Sequence, residues 1–189
     1  MKKCNVVRIV GFLFVVFITS CAGDHTKLDS LNISLKLPLN YIQMDSEQFE
    51  HFYSRRKEPD SIFYDRLNKV IALERIPNYV YIQDTTDIFN SILVMGPPYM
   101  KLNKKTFPLM REEFKKVVRN SFSGCSIKCM ESGLKYGTYK YAKFKYKVST
   151  CSEDFQITCY TLNKNNESKM IVINNQNKID FEEIIQTIE

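Results

Sequence analysis

Two periods of apolar and polar residues run along this chain, and the switches between them divide it into elements. Leu31, Ile33, Leu35 and Leu37 alternate with Asn32, Ser34 and Lys36, the period-two pattern of a half-buried strand. Pro38 ends it, because proline has no N–H to donate to a ladder. After Tyr41-Ile42, Asp45 stands three residues before Gln48, the spacing of a capping box. Phe49, Phe52 and Tyr53 then give one apolar helix face, which should fail by Pro59. Residues 62–67 and 69–76 read as two strands turning at Leu67-Asn68-Lys69. Tyr79 to Gln83 reads as a short strand. Ile88 to Met95 reads as a strand or buried segment, and Gly96-Pro97-Pro98 terminates it.

The second half predicts a helix at PLMREEFKKVVRNSF, with Leu109, Met110, Phe114, Val117, Val118 and Phe122 on its buried side. Glu112 and Glu113 lie early in it and Lys115, Lys116 and Arg119 late, which suits the helix dipole, and Gly124 ends it. A strand at SIKCMES, a turn at Gly133 to Gly137, the run TYKYAKFKYKVST, a strand at FQITCYTLN and another at SKMIVIN read as an antiparallel meander. In the long run, Tyr139 and Tyr141 share one parity, and Ala142, Phe144, Tyr146 and Val148 share the other. That change predicts a β-bulge between Tyr141 and Ala142. A last helix opens at Asp180, with Phe181, Ile184, Ile185 and Ile188 at helical spacing.

Strands and helices do not alternate strictly, so the expected class is α+β, a mostly antiparallel sheet packed by two or three helices. The opening strand ISLKLP, the central amphipathic helix, the closing meander and the terminal helix FEEIIQTI resemble the PsbP-like fold. The resemblance implies a fold whose members are mostly accessory or binding proteins rather than enzymes.

The N-terminus carries a different signal. Lys2, Lys3 and Arg8 precede the apolar run Ile9 to Ile18, and the tetrad Ile18-Thr19-Ser20-Cys21 follows. A basic start, an apolar core and small residues make a secretory leader. The run is shorter than the roughly 20 residues that a bilayer core requires. ITSC resembles the lipobox of bacterial lipoproteins. The resemblance implies cleavage after Ser20, lipidation of Cys21 and membrane attachment through that lipid. Three acyl chains would anchor strongly, at about 0.8 kcal/mol per buried methylene. Ala22, where an aspartate is associated with inner-membrane retention in enteric lipoproteins, points to the bacterial outer membrane, with the domain facing the periplasm or the cell surface. The expected organisation is a signal peptide over 1–20, a flexible tether over 21–30, where AGDHTKLDS is small and polar, and a single α+β domain over 31–189.

Charge changes little. Lys2, Lys3 and Arg8 lie in the leader, so about +3 of the formal +6 stays with the mature chain. That excess does not call for nucleic acid as a partner. Cysteine usage follows the compartment. Cys4 leaves with the leader and Cys21 takes lipid, which leaves Cys125, Cys129, Cys151 and Cys159. An even number in an oxidising compartment suggests structural disulfides. Cys125–Cys151, Cys125–Cys129 and Cys151–Cys159 all stay open. The spacings lack the CxxC of zinc knuckles and redox motifs.

Lys143, Lys145 and Lys147 form a column on one face of the long run. The simplest reading is a solvated face whose lysines keep the strand soluble and block edge pairing. The alternative is a basic aromatic surface for an anionic partner, such as phospholipid headgroups or acidic glycan. His51 and Glu47 share a helix face, but two ligands are too few for a metal, and no cofactor or metal is expected. GxSxG, GxGxxG, P-loop and HExxH patterns do not occur. The expected role is therefore a non-catalytic binding or accessory protein of the cell envelope. It would meet an envelope protein or ligand through the sheet or the loops around Gly96-Pro97-Pro98. An enzyme that gathers Asp60, Asp65, Asp84 and Asp87 into a cleft, and a structural spacer, are the alternatives.

Overall fold

The alternating second half builds the centre of one large antiparallel sheet. In the computed structural model, residues 25–55, 61–150, 154–164, 166–177, 179, 181–186 and 188 are described. The strands are β1 (His25–Leu28), β2 (Ile33–Lys36), β3 (Tyr41–Gln43), β4 (Tyr79–Asp84), β5 (Ser91–Met95), β6 (Ser126–Tyr136), β7 (Lys140–Ser149), β8 (Asp154–Lys164) and β9 (Glu167–Asn175). The helices are α1 (Ser46–Ser54), α2 (Ser61–Leu73), α3 (Thr106–Ser121) and α4 (Phe181–Gln186). Seven strands pair in the order β3-β4-β5-β9-β8-β7-β6, and β1 and β2 form a separate hairpin. Every pairing in the large sheet is antiparallel. The class is α+β.

Both faces of the sheet are covered, which makes three layers. Val80, Ile82, Ile92, Val94, Leu162, Ile171 and Ile173 point to one face, where they meet Leu28, Ile33 and Leu35 of the hairpin and Phe181 and Ile185 of α4. Phe144, Tyr146, Val148 and Ile157 point to the other face and meet α3. Tyr81 meets α1 and α2 beside them, through Phe49, Phe63, Leu67 and Val70. Each such large apolar side chain contributes about 1.5–3 kcal/mol on burial.

The capping box at α1 forms as its spacing predicts. The Gln48 N–H donates to Asp45 Oδ1 at 2.8 Å, and the Asp45 N–H donates to Gln48 Oε1 at 3.0 Å. Five expectations change, one of them the turn at Gly133 to Gly137, because β6 stays paired with β7 through Gly133 to Tyr136. Residues 61–73 are one helix rather than two strands, because Phe63, Leu67 and Val70 are the positions that bury, at spacings of four and three. Neighbouring apolar residues of both parities hide that period. Residues 25–30 also belong to the fold rather than to a tether: His25–Leu28 pairs with β2, Leu28 opposite Ile33, through a turn that Asn32 closes at φ 50°. Three of those four strand residues are polar because only Leu28 is fully buried.

The buried side of α3 is rotated from the expected one. Leu109 and Val117 are 69% and 55% exposed, while Phe107, Met110, Phe114, Val118 and Phe122 face the sheet. Phe107 stacks on Phe144 with ring centroids 5.2 Å apart. Finally, β7 has no bulge at Tyr141-Ala142. Its register with β8 is regular, and the irregularity lies in β6 between Cys129 and Glu131. The parity change instead reflects burial on both faces, Tyr141 under α4 and Ala142 under α3. No helix among the described residues is long and apolar enough to cross a membrane. Cys21 lies outside the described residues.

Candidate functional site

The lysine column lies on the sheet face that α4 only partly covers. Cross-strand pairing places its neighbours in rows. Lys143 lies opposite Tyr160, Lys145 opposite Thr158 and Ile173, and Lys147 opposite Gln156 and Asn175. Phe181 and Glu182 of α4 close the first row. Beyond them the face opens into a recess of about 430 Å³, lined by Lys143, Lys145, Gln156, Thr158, Asn175, Asn177 and Glu182, with Tyr160, Ile173 and Phe181 as apolar parts.

The three lysines do not share one environment, and this corrects the picture of a uniformly solvated face. Lys143 has a side chain only 7% exposed and sits between two carboxylates. Its Nζ is 2.8 Å from Glu131 Oε2 and also bonds Glu182 Oε2. Burial pulls its pKa down, but the hydrogen bonds with Glu131 and Glu182 outweigh that and raise it. The hydrogen bonds from Lys143 and Lys135 pull Glu131 down to about 2. Glu182 is lowered in the same way, chiefly by Lys143. Glu182 also accepts from the Tyr141 hydroxyl at 2.8 Å. The network joins β6, β7 and α4, so it fixes the rim of the recess. Lys147 pairs with Asp154 at the far end of the column. Lys145, between them, makes no ion pair among the described residues.

The floor holds polar groups without partners. Thr158 and Gln156 make no side-chain hydrogen bond among the described residues. Asn175 donates from Nδ2 to the Ile179 carbonyl at 3.1 Å, and its Oδ1 is buried with no partner. A buried acceptor left unpaired costs about 1–3 kcal/mol. Asn177 donates to the Tyr41 hydroxyl at 3.1 Å and accepts from the Ile179 N–H at 3.1 Å, which holds this wall in place.

A second concavity, of about 210 Å³, lies on the opposite face at Pro97-Pro98, where the sequence suggests a contact loop. Met100, Met110, Met170, Phe114 and Val117 line it, with Cys159 at its base. Burial pushes the Cys159 thiol up to about 12, so it is not a thiolate nucleophile at neutral pH.

Cys125, Cys129 and Cys159 are free thiols, and Cys151 lies outside the described residues. The Cys125–Cys129 bridge, one of the pairings left open by the sequence, does not form. Four positions of extended chain span about 13 Å, and a disulfide needs Cα atoms within about 7 Å. Among the described residues, Asp65 does not join Asp84 and Asp87 in a cleft. Asp84 and Asp87 both accept from Asn90 Nδ2, at 3.0 and 3.2 Å, and their other oxygens accept from Thr86 and Phe89 of the same turn. Asp65 pairs with Lys69 on the exposed side of α2, and Asp60 lies outside the described residues. Glu47 and His51 are exposed on α1. No group of three or more His, Cys, Asp or Glu side chains is placed to hold a metal among the described residues.

The sequence singles out the lysines but not Glu131, Glu182, Thr158 or Asn175. Lys143 and Glu182 are 39 residues apart, and no local pattern connects them. Only the alternation of β8 and β9 could have placed Thr158 and Asn175 on the lysine face.

No family model matches the chain, and no curated protein matches it. A solved structure from Bacteroides thetaiotaomicron VPI-5482 is similar at 12% identity and a TM-score of 0.45, over 89% of this chain and 48% of that one. The chain therefore spans about half the length of that protein.

Proposed function

We propose that this chain is a non-catalytic binding or accessory module of the bacterial cell envelope, held at the outer membrane through lipid on Cys21. Its domain presents the recess beside Lys145 to a ligand or partner in the periplasm or at the cell surface. One observation carries the binding reading. An ammonium without an ion pair, an unpartnered threonine hydroxyl and a buried unpaired amide oxygen share one concave site among the described residues. Folding alone gives no reason to collect such groups, since buried polar atoms are ordinarily satisfied within the protein. The lipobox-like ITSC supplies the anchor and the compartment. The resemblance to the PsbP-like fold favours an accessory role over catalysis.

Two measurements test the proposal. Intact mass of the full-length chain expressed in a bacterial host should equal residues 21–189 plus acyl groups, and a Cys21→Ser form should lose them. An unprocessed mass would remove the anchor and the localisation. The lipidated protein, immobilised in detergent, should retain a component of solubilised envelope, and Lys145→Glu should release it. Retention of nothing by the native chain would refute the binding role.

A further inference from the structure

We infer that the recess over Lys145 takes a small polyhydroxylated monocarboxylate, a sugar of the uronic-acid class. The inference rests on the reading of the chain as a binding module and specifies what it binds. Charge selects the acid. Lys143 is already compensated by Glu131 and Glu182, which leaves the Lys145 ammonium as the cation free to meet a ligand here. With Glu182 on the rim and Glu131 opposite Lys145 in register, a single negative charge is accommodated. A phosphate dianion would bring a second negative charge against Glu182 on the rim, and like charges brought together at an interface disfavour binding.

Hydrogen bonding selects the hydroxyls. Asn175 gives one of its two N–H donors to the Ile179 carbonyl, and its Oδ1 is buried beneath the recess. The Thr158 hydroxyl and the Gln156 amide can each donate or accept. They stand in adjacent cross-strand rows beside Lys145. A hydroxyl is donor and acceptor at once, so neighbouring hydroxyls on one ring answer the Thr158 hydroxyl and both ends of the Gln156 amide, whereas a carboxylate only accepts. Tyr160 and Ile173 give the site an apolar side for the C–H face of such a ring. The volume, about 430 Å³, lies in the usual range for small-ligand sites.

The test is calorimetric titration of the full acylated chain in non-ionic detergent with D-glucuronate, D-glucose, acetate and inorganic phosphate. Glucuronate should give a saturable one-site isotherm. Glucose, which lacks the acid, and acetate, which lacks the hydroxyls, should each bind at least about tenfold more weakly, and phosphate no better. Lys145→Met should weaken glucuronate at least about fivefold and leave glucose unchanged. Gln156→Ala should weaken both sugars. Glucuronate that fails to saturate, acetate or phosphate that binds as well, or unchanged affinity in both variants would each overturn the assignment. The two layers fail separately. An envelope component that the protein retains and glucuronate does not displace would refute the ligand class and leave the binding role standing. Retention of no component would refute the role itself.

Discussion

Lys143→Met removes the cation at the centre of the network that seats α4 on the sheet. The lysine side chain is 7% exposed, and the two carboxylates facing it are 36% exposed at Glu131 and 26% at Glu182. Breaking a fully buried pair by deleting one partner costs about 3–5 kcal/mol, mostly because a charge stays behind without compensation. Here the remaining carboxylates keep contact with water and with other donors. Glu131 retains Lys135 at 2.9 Å and Glu182 retains the Tyr141 hydroxyl, so solvent screening lowers the figure. The expected loss is about 1–3 kcal/mol, or about 2–12 °C in Tm for a domain of this size. Urea unfolding at neutral pH reads it as a lower midpoint at unchanged slope. Glu182→Gln and the double variant complete a cycle, and the two substitutions should be less damaging together than their sum by about 1 kcal/mol. Stability equal to or above that of the native chain, or strict additivity in the cycle, would refute the view that this network holds the rim of the recess.

The same network sets an acid limit. Glu131 and Glu182 have folded pKa values below their unfolded ones, near about 4.3, with Glu131 at about 2. Their contribution is therefore complete above the unfolded value and disappears as pH falls through the folded ones. The urea midpoint should drop between about pH 4.5 and 2, and less steeply in Glu131→Gln; an identical slope in the variant would contradict the assignment. Phe49 is fully buried among Phe63, Tyr53 and Tyr81, so Phe49→Ala should lose about 3–5 kcal/mol in the same assay. In native protein, a thiol reagent should label exposed Cys129 rapidly and buried Cys159 only on unfolding, as mass spectrometry of the peptides will show.

Elements with a one-sided pattern are legible in the amino-acid sequence alone. β2 alternates cleanly because one face is buried and the other is not. α1 announces itself because the Asp45–Gln48 box is local chemistry. The meander strand β9 alternates for the same reason as β2. The pattern misleads where burial is two-sided or small. In α2 the apolar residues cluster as Ile62-Phe63-Tyr64 and Val70-Ile71-Ala72-Leu73, so the helical period blurs into apparent strands. In β7 the cover on both faces imitates a bulge. In β1, one buried leucine in four residues cannot reveal a strand that exists only through its partner.

By itself, the sequence determined the α+β class, the place of most elements and the lysine column, because periodicity and capping act over a few residues. The tertiary structure decided what each lysine does. Glu182 arrives from a helix 39 residues away to compensate Lys143, and Asp154 takes Lys147. Lys145 is left facing Thr158, with Gln156 and Asn175 in the next row. Charge compensation and hydrogen-bond satisfaction depend on distances between side chains remote in the chain, and those distances exist only once the sheet has closed its rows and α4 has docked.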